Sequence, residues 1–229
     1  MRAVGVDTEF TADAWRTLAP APVIYYGAVS LRPSAPSEAF ASSFATVCDS
    51  WQTLDLSPFG FVALDGEAWF VREPAPLPEP SIAGFEIESV TTAPGVATFE
   101  AVSLRGFAGD SFKIEPGRIH PASILDEPRV TMWLGRSEGE PIAAAMSYRH
   151  RAVVGIFGVT TIEAARGQGY GTALTARAVL AETGLPAVLQ TNSPVAARIY
   201  ERLGFRSVAQ LRQWRPGPVT RTVPESVRT

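Results

Sequence analysis

The chain has 229 residues, 46% of them hydrophobic, enough to fill the core of one large or two small globular domains. Charged residues make up only 19%, the net charge is −3 and no basic patch stands out, which argues against a nucleic-acid partner. Cys48 is the single cysteine, so no internal disulfide framework can form; with no signal-peptide core and no apolar run of membrane-spanning length, the expectation is a cytoplasmic protein without a membrane partner.

Residues 1–80 read as a small α/β part. A helix is expected over Thr11 to Leu18, a strand over Val23 to Val29 and a second helix around Ser37 to Trp51, with Cys48 buried on it. Gly60 to Leu64 and Ala68 to Val71 flank Asp65-Gly66-Glu67, the signature of a hairpin. Four prolines in the eight residues from Glu73 to Pro80 then make a stiff connector, and a domain boundary is expected there.

Residues 81–229 form the second part. Phe85 to Val90 alternates like a half-buried strand, Thr91 to Arg105 has helical character, and Phe107 to Asp126 is irregular. Val130 to Leu134, Ile142 to Tyr148 and Ala152 to Thr160 follow one another across short turns as an antiparallel meander. Tyr170, Ala173, Leu174, Ala178 and Ala181 make the apolar stripe of a helix over Gly169 to Glu182, which Gly184 and Pro186 terminate. A short strand at Ala187 to Gln190 precedes a helix over Pro194 to Leu203, with Ser193 at its N-cap, and Phe205 to Trp214 is a last strand.

One run raises a chemical question: Ala165 to Leu174 reads ARGQGYGTAL, three glycines alternating at the point where a strand gives way to a helix. The first N–H groups of a helix lack intrahelical partners, and the helix dipole favours an anion there. Glycines would let a pyrophosphate reach the amides of Gln168, Gly169, Tyr170, Gly171 and Thr172, with Arg166 adding charge. The run lacks the Gly-Lys-Ser/Thr of a Walker loop. It also falls one residue short of the dinucleotide-binding Gly-x-Gly-x-x-Gly, which would need a parallel sheet.

With those two set aside, Val159 to Leu174 resembles the acetyl-CoA signature of the GNAT superfamily of N-acetyltransferases, whose Gln/Arg-x-x-Gly-x-Gly/Ala falls on Arg166, Gly169 and Gly171. Asn192 to Phe205 resembles the superfamily's second signature, on Asn192, Tyr200, Gly204 and Phe205. The resemblance covers about Ile87 to Trp214. It implies an α/β (α+β) fold, a mixed and mostly antiparallel sheet flanked by helices, with residues 1–80 as a degenerate, cofactor-free half of the same kind.

The resemblance further implies acetyl transfer from acetyl-CoA to an amine of a small molecule or protein, without a metal. The pyrophosphate would sit on Arg166, Gly167 and the amides named above. The pantetheine arm would pair with Val159, Thr160 and Thr161 where the fourth and fifth strands splay apart, with Asn192 at the end of the fifth. Tyr200 would be the general acid. The superfamily's glutamate base has no counterpart between Arg151 and Thr161, which leaves Glu163, Glu115, Asp126 or no base at all. A non-catalytic acyl-CoA-binding or sensing protein is the alternative, and a homodimer is compatible with either. Isolated His120 and His150 read as structural, and Trp51, Trp69 and Trp133 as core or interface.

Overall fold

The computed structural model describes residues 4–22, 24–64, 66–109, 111 and 115–217. In chain order the strands are β1 (Thr8–Phe10), β2 (Ala14–Thr17), β3 (Ala28–Ser30), β4 (Val47–Asp49), β5 (Phe61–Ala63), β6 (Glu67–Arg72), β7 (Phe85–Ser89), β8 (Val130–Ser137), β9 (Glu140–His150), β10 (Val153–Thr161), β11 (Ala187–Thr191) and β12 (Arg206–Pro216). The helices are α1 (Ala93–Ala108), α2 (Tyr170–Leu180) and α3 (Pro194–Arg202). Contacts divide the chain into two units: Thr8–Gly66 with Leu211–Thr229, and Met1–Asp7 with Glu67–Gln210.

The smaller unit, which begins at Thr8, is a sheet of short strands. β1 pairs with β2 and β2 with β3, both antiparallel, β3 pairs parallel with β4, and the end of β12 takes β4 and β5 as antiparallel partners. Phe40, Leu56, Phe61 and Trp214 fill its core. Both helices expected here are absent among the described residues. Thr11 Oγ1 accepts from the amides of Asp13 (3.2 Å) and Ala14 (3.0 Å), a local bond that competes with helix and launches β2 instead. Ser37–Phe40 is one 3₁₀ turn that buries Phe40. The stretch after it becomes β4, which carries the buried Cys48, because two strands lie beside it to pair with. The strand expected from Val23 shrinks to β3, and Val23 itself lies outside the described residues.

The expected hairpin also fails, although both of its strands exist. β5 pairs with Trp214 to Pro216, whereas β6 pairs with β11 over five residues. Partners distant in sequence take both strands instead of the local turn, whose Asp65 lies outside the described residues. The proline-rich connector lies within the larger unit, where the buried Arg72 guanidinium donates to the carbonyls of Glu73, Ala75 and Pro76 and to that of Leu203 (2.8 Å) beyond the end of α3.

From β7 onward the larger unit follows the expected order of elements, and it also contains β6, which was expected in the N-terminal part. Its sheet runs β12-β6-β11-β10-β9-β8-β7; β10 and β11 are parallel, while β6 with β11, β9 with β10, β8 with β9 and β7 with β8 are antiparallel. α1 and α2 both pack on β8 to β10. The interior strand β9 carries three consecutive alanines, Ala143 to Ala145, all with no exposed surface, and such small side chains let helices approach the sheet closely. α1 comes nearest at Gly106, where a Cβ would lie 2.1 Å from Thr160 Oγ1 and 3.0 Å from Thr160 Cβ. α3 begins as expected, with the Ser193 hydroxyl accepting from the Ala196 amide and Pro194 at the first turn.

The irregular segment before β8 hangs on one buried carboxylate. Glu100 of α1 accepts the amides of Gly117 (2.8 Å), Ile119 (3.2 Å) and His120 (2.6 Å). His120 stacks edge-on against Phe99, and its burial pushes the imidazole down to about 4 against the pull of Glu100. A histidine whose folded pKa lies below its unfolded value of 6.5 binds its proton more readily when unfolded, so stability is lost as pH falls from about 6.5 to about 4. The loss should total about 3 kcal/mol. Urea titrations between pH 7 and pH 4.5 measure it, and in His120→Leu the slope across that window should largely disappear.

Candidate active site

β10 and β11 create the opening. They pair in parallel only at Val154 with Ala187 and Gly155 with Val188, although both strands continue beyond. On the other side of β10 the register slips between Phe157 and Thr160, so that Gly158 and Val159 together face one residue of β9. Such a bulge bends its strand and disrupts the ladder locally, which carries the end of β10 away from β11. Val159 and Thr161 are half-buried along this edge. Thr160 is buried and points at Gly106 of α1, so only its backbone is open to a ligand.

The glycine run lies just past the end of β10. Gly167 and Gly169 have φ of 84° and 85°, the left-handed region that side chains disfavour. Gly171 is different: it is helical, and a Cβ there would have only Thr161 Oγ1, 3.7 Å away, as a neighbour. Nothing inside the molecule requires glycine at 171, where it costs helix stability relative to alanine. Gly169 is the N-cap of α2 and no side chain caps the helix; the first internal bond is from Ala173 N to Gly169 O. The amides of Tyr170, Gly171 and Thr172 therefore have no intrahelical acceptor. This is a cradle in which glycine keeps the amides accessible, and it fits a phosphate group.

Arg166 braces the cradle. Its guanidinium donates to Thr161 O (3.2 Å) at the end of β10 and to Gly106 O (2.8 Å) on α1. It thus contributes charge close to the helix start while fixing β10, α1 and the loop to one another. Tyr170 turns its ring away, stacked on Phe85 with centroids 4.3 Å apart, and offers only its amide. Gln168 and Asn192 are exposed, the latter directly after β11.

Tyr200 stands on the neighbouring helix. Its ring is buried, meeting Phe70 of β6 edge-on at 6.2 Å and Phe205 at 5.9 Å. Burial pushes its phenol up to about 12. The hydroxyl therefore keeps its proton at neutral pH and can act as a donor. The structure brings the glycine run, Thr161 and Arg166 into one cluster, and places Tyr200 on the side of β11.

The candidate bases stand apart. Glu163 is exposed in the 3₁₀ turn after β10, Asp126 is exposed in another at Ala122–Asp126, and exposed Glu115 borders residues outside the description. Glu100 and Arg72 went unnoticed in the sequence. Glu100 had a signal, since it lies on the Val96, Phe99, Ser103 stripe of α1, where a carboxylate is out of place. Among the described residues no group of three or more His, Cys, Asp or Glu could hold a metal ion, and no helix is long and apolar enough to cross a membrane.

Residues 128–207, from β8 through α3, match the acetyltransferase (GNAT) domain. No curated protein matches the chain. Among solved structures, a GCN5-related N-acetyltransferase from Kribbella flavida is similar over 95% of this chain and 93% of its own, with 22% identity and a TM-score of 0.66. A conserved protein of unknown function from Staphylococcus epidermidis covers 94% and 96% at 13% identity with a TM-score of 0.64. A tandem GNAT protein from the clavulanic acid biosynthesis pathway covers 90% and 83% at 13% identity with a TM-score of 0.55. Residues 128–207 thus match the acetyltransferase (GNAT) domain, and the solved structures share the fold of this chain.

Proposed function

We propose that the protein transfers an acetyl group from acetyl-CoA to an amine. The observation that carries this reading is the divergence of β10 from β11 immediately beside the uncapped start of α2. The amides of Gln168 to Thr172 would receive the pyrophosphate, with Gly167 and Gly169 shaping the loop and Arg166 bracing it. The unpaired edge of β10 at Val159 to Thr161 would hydrogen-bond the pantetheine arm, and an amide of the bulge would polarise the thioester carbonyl as an oxyanion-hole donor. Asn192 would flank the same opening from β11. Tyr200 would support the departing sulfur. Its phenol, at about 12, holds its proton more tightly than a thiol with a pKa near 8.5, so a donated hydrogen bond carries most of that support.

The sequence before Ser81 has no second Arg-x-x-Gly-x-Gly, so the reading assigns one coenzyme A per chain and no cofactor role to the N-terminal part. Release of free thiol from acetyl-CoA, followed against a panel of primary amines, tests the reading. Turnover of any amine, together with a titration stoichiometry of one, is expected. Tight coenzyme A binding with no turnover across the panel would favour the acyl-CoA-sensing alternative. Two equal sites per chain would contradict the assignment of the N-terminal part.

A further inference from the structure

The acceptor side of the opening has a composition of its own. Phe157 of β10 pairs with Met146 of β9 and, across the bulge, Thr160 pairs with Ala144, so Phe157 and Thr160 share a face of the sheet. Thr160 is the residue against Gly106, which makes this the α1 face. Gly155 is opposite Val188 of β11, and Val188 is opposite Val71 of β6. Side chains alternate along a strand. Two residues further along, Gln190 and Trp69 therefore form the next row on the α1 face, with Phe157 on the same face of β10 across the splay, and Asn192 and Glu67 follow beyond the last pair of β11 with β6. Phe157 is 43% exposed, Asn192 is exposed, and Trp69, Gln190 and Glu67 are half-buried.

We infer that this row is the acceptor site, and that it takes a primary amine borne on an aromatic or aliphatic group without a neighbouring anion. The inference rests on the proposed acetyl transfer. Phe157 of β10, its ring lying back over Gly155, and Trp69 of β6 lie on the α1 face on opposite sides of the splay and supply two aromatic walls for an apolar group. Glu67 is the carboxylate next to the open end of the splay, where an ammonium completes a charge-assisted hydrogen bond and a carboxylate on the substrate is repelled. In the reaction the ammonium gives one proton to Glu67, which passes it to water. Nitrogen then forms the C–N bond as the C–S bond breaks. The second surplus proton of nitrogen ends on the sulfur that Tyr200 holds, so thioester and ammonium become amide, thiol and one released proton.

Calorimetric titration of the coenzyme A-loaded protein with 2-phenylethylamine, glucosamine and glutamate tests the assignment independently of turnover. Phenylethylamine should bind at least about tenfold more tightly than the other two. Glu67→Gln and, separately, the exposed Phe157→Ala should each weaken it by about tenfold or more in a protein that stays folded and still binds coenzyme A. Equal or tighter binding of glucosamine or glutamate, no phenylethylamine binding up to millimolar concentration, or unchanged affinity in a folded Phe157→Ala variant would overturn the inference. Failure of coenzyme A itself to bind would instead remove the cofactor reading, and the amine titrations on the unloaded protein would still decide this one.

Discussion

Tyr200→Phe is expected to lower kcat by about 10²- to 10⁴-fold and to leave acetyl-CoA affinity nearly unchanged. The substitution keeps the ring that packs on Phe70 and Phe205 and removes only the hydroxyl. Because the phenol is held up to about 12 by burial, it is a donor throughout the working pH range, and the effect should be constant from pH 6 to pH 9. A tyrosine that merely packs in the core would give a different result: activity within a few-fold and at most about 1 kcal/mol of stability change from a lost hydrogen bond. Turnover and melting temperature of this one variant separate the two roles.

Gly171→Val is expected to abolish acetyl-CoA binding in a protein that remains folded. The backbone there is helical and a Cβ has ample room inside the molecule, so the added bulk can obstruct only a ligand at the amides. Gly171→Ala sharpens the test, because a ligand and the fold respond in opposite directions. Helix propensity should raise stability by up to about 1 kcal/mol, while coenzyme A affinity falls. Titration calorimetry and thermal melts of the two variants give both readouts, and undiminished affinity in a folded Gly171→Val protein would remove the glycine run from the site.

The larger unit was legible in the sequence because its elements carry local information. Ser193, Pro194 and Gly204 punctuate α3, and β8 to β10 are apolar-centred runs of eight to eleven residues separated by short turns. The smaller unit was not, because β1, β3, β4 and β5 are only three residues long and gain their structure from partners elsewhere. β4 is a strand because β3 and the end of β12 lie beside it, and no periodicity within Val47 to Asp49 announces that. The same holds for the failed hairpin, whose turn residues were suitable but whose two strands found better partners in β12 and β11.

At the candidate site, the glycines and Arg166 could be read because a backbone anion cradle needs particular residue types in a short run. What the sequence concealed were the side chains that hold backbone far away. Arg72 binds a carbonyl 131 residues later, and Glu100 binds amides 17 to 20 residues later. The motif makes Arg166 a phosphate partner, while in the structure its guanidinium donates to the Thr161 and Gly106 carbonyls. The charge and the brace are compatible roles, since both place the guanidinium at the start of α2.

Amide hydrogen exchange with and without coenzyme A tests the central claim most directly, because it reads the backbone groups on which the site depends. Saturating coenzyme A should slow exchange at residues 157–161 on the free edge of β10 and at residues 168–172 at the start of α2, and should leave residues 8–64 unchanged. Protection confined to residues 8–64, or saturable binding with no change at either 157–161 or 168–172, would contradict the assignment of the acyl-donor site.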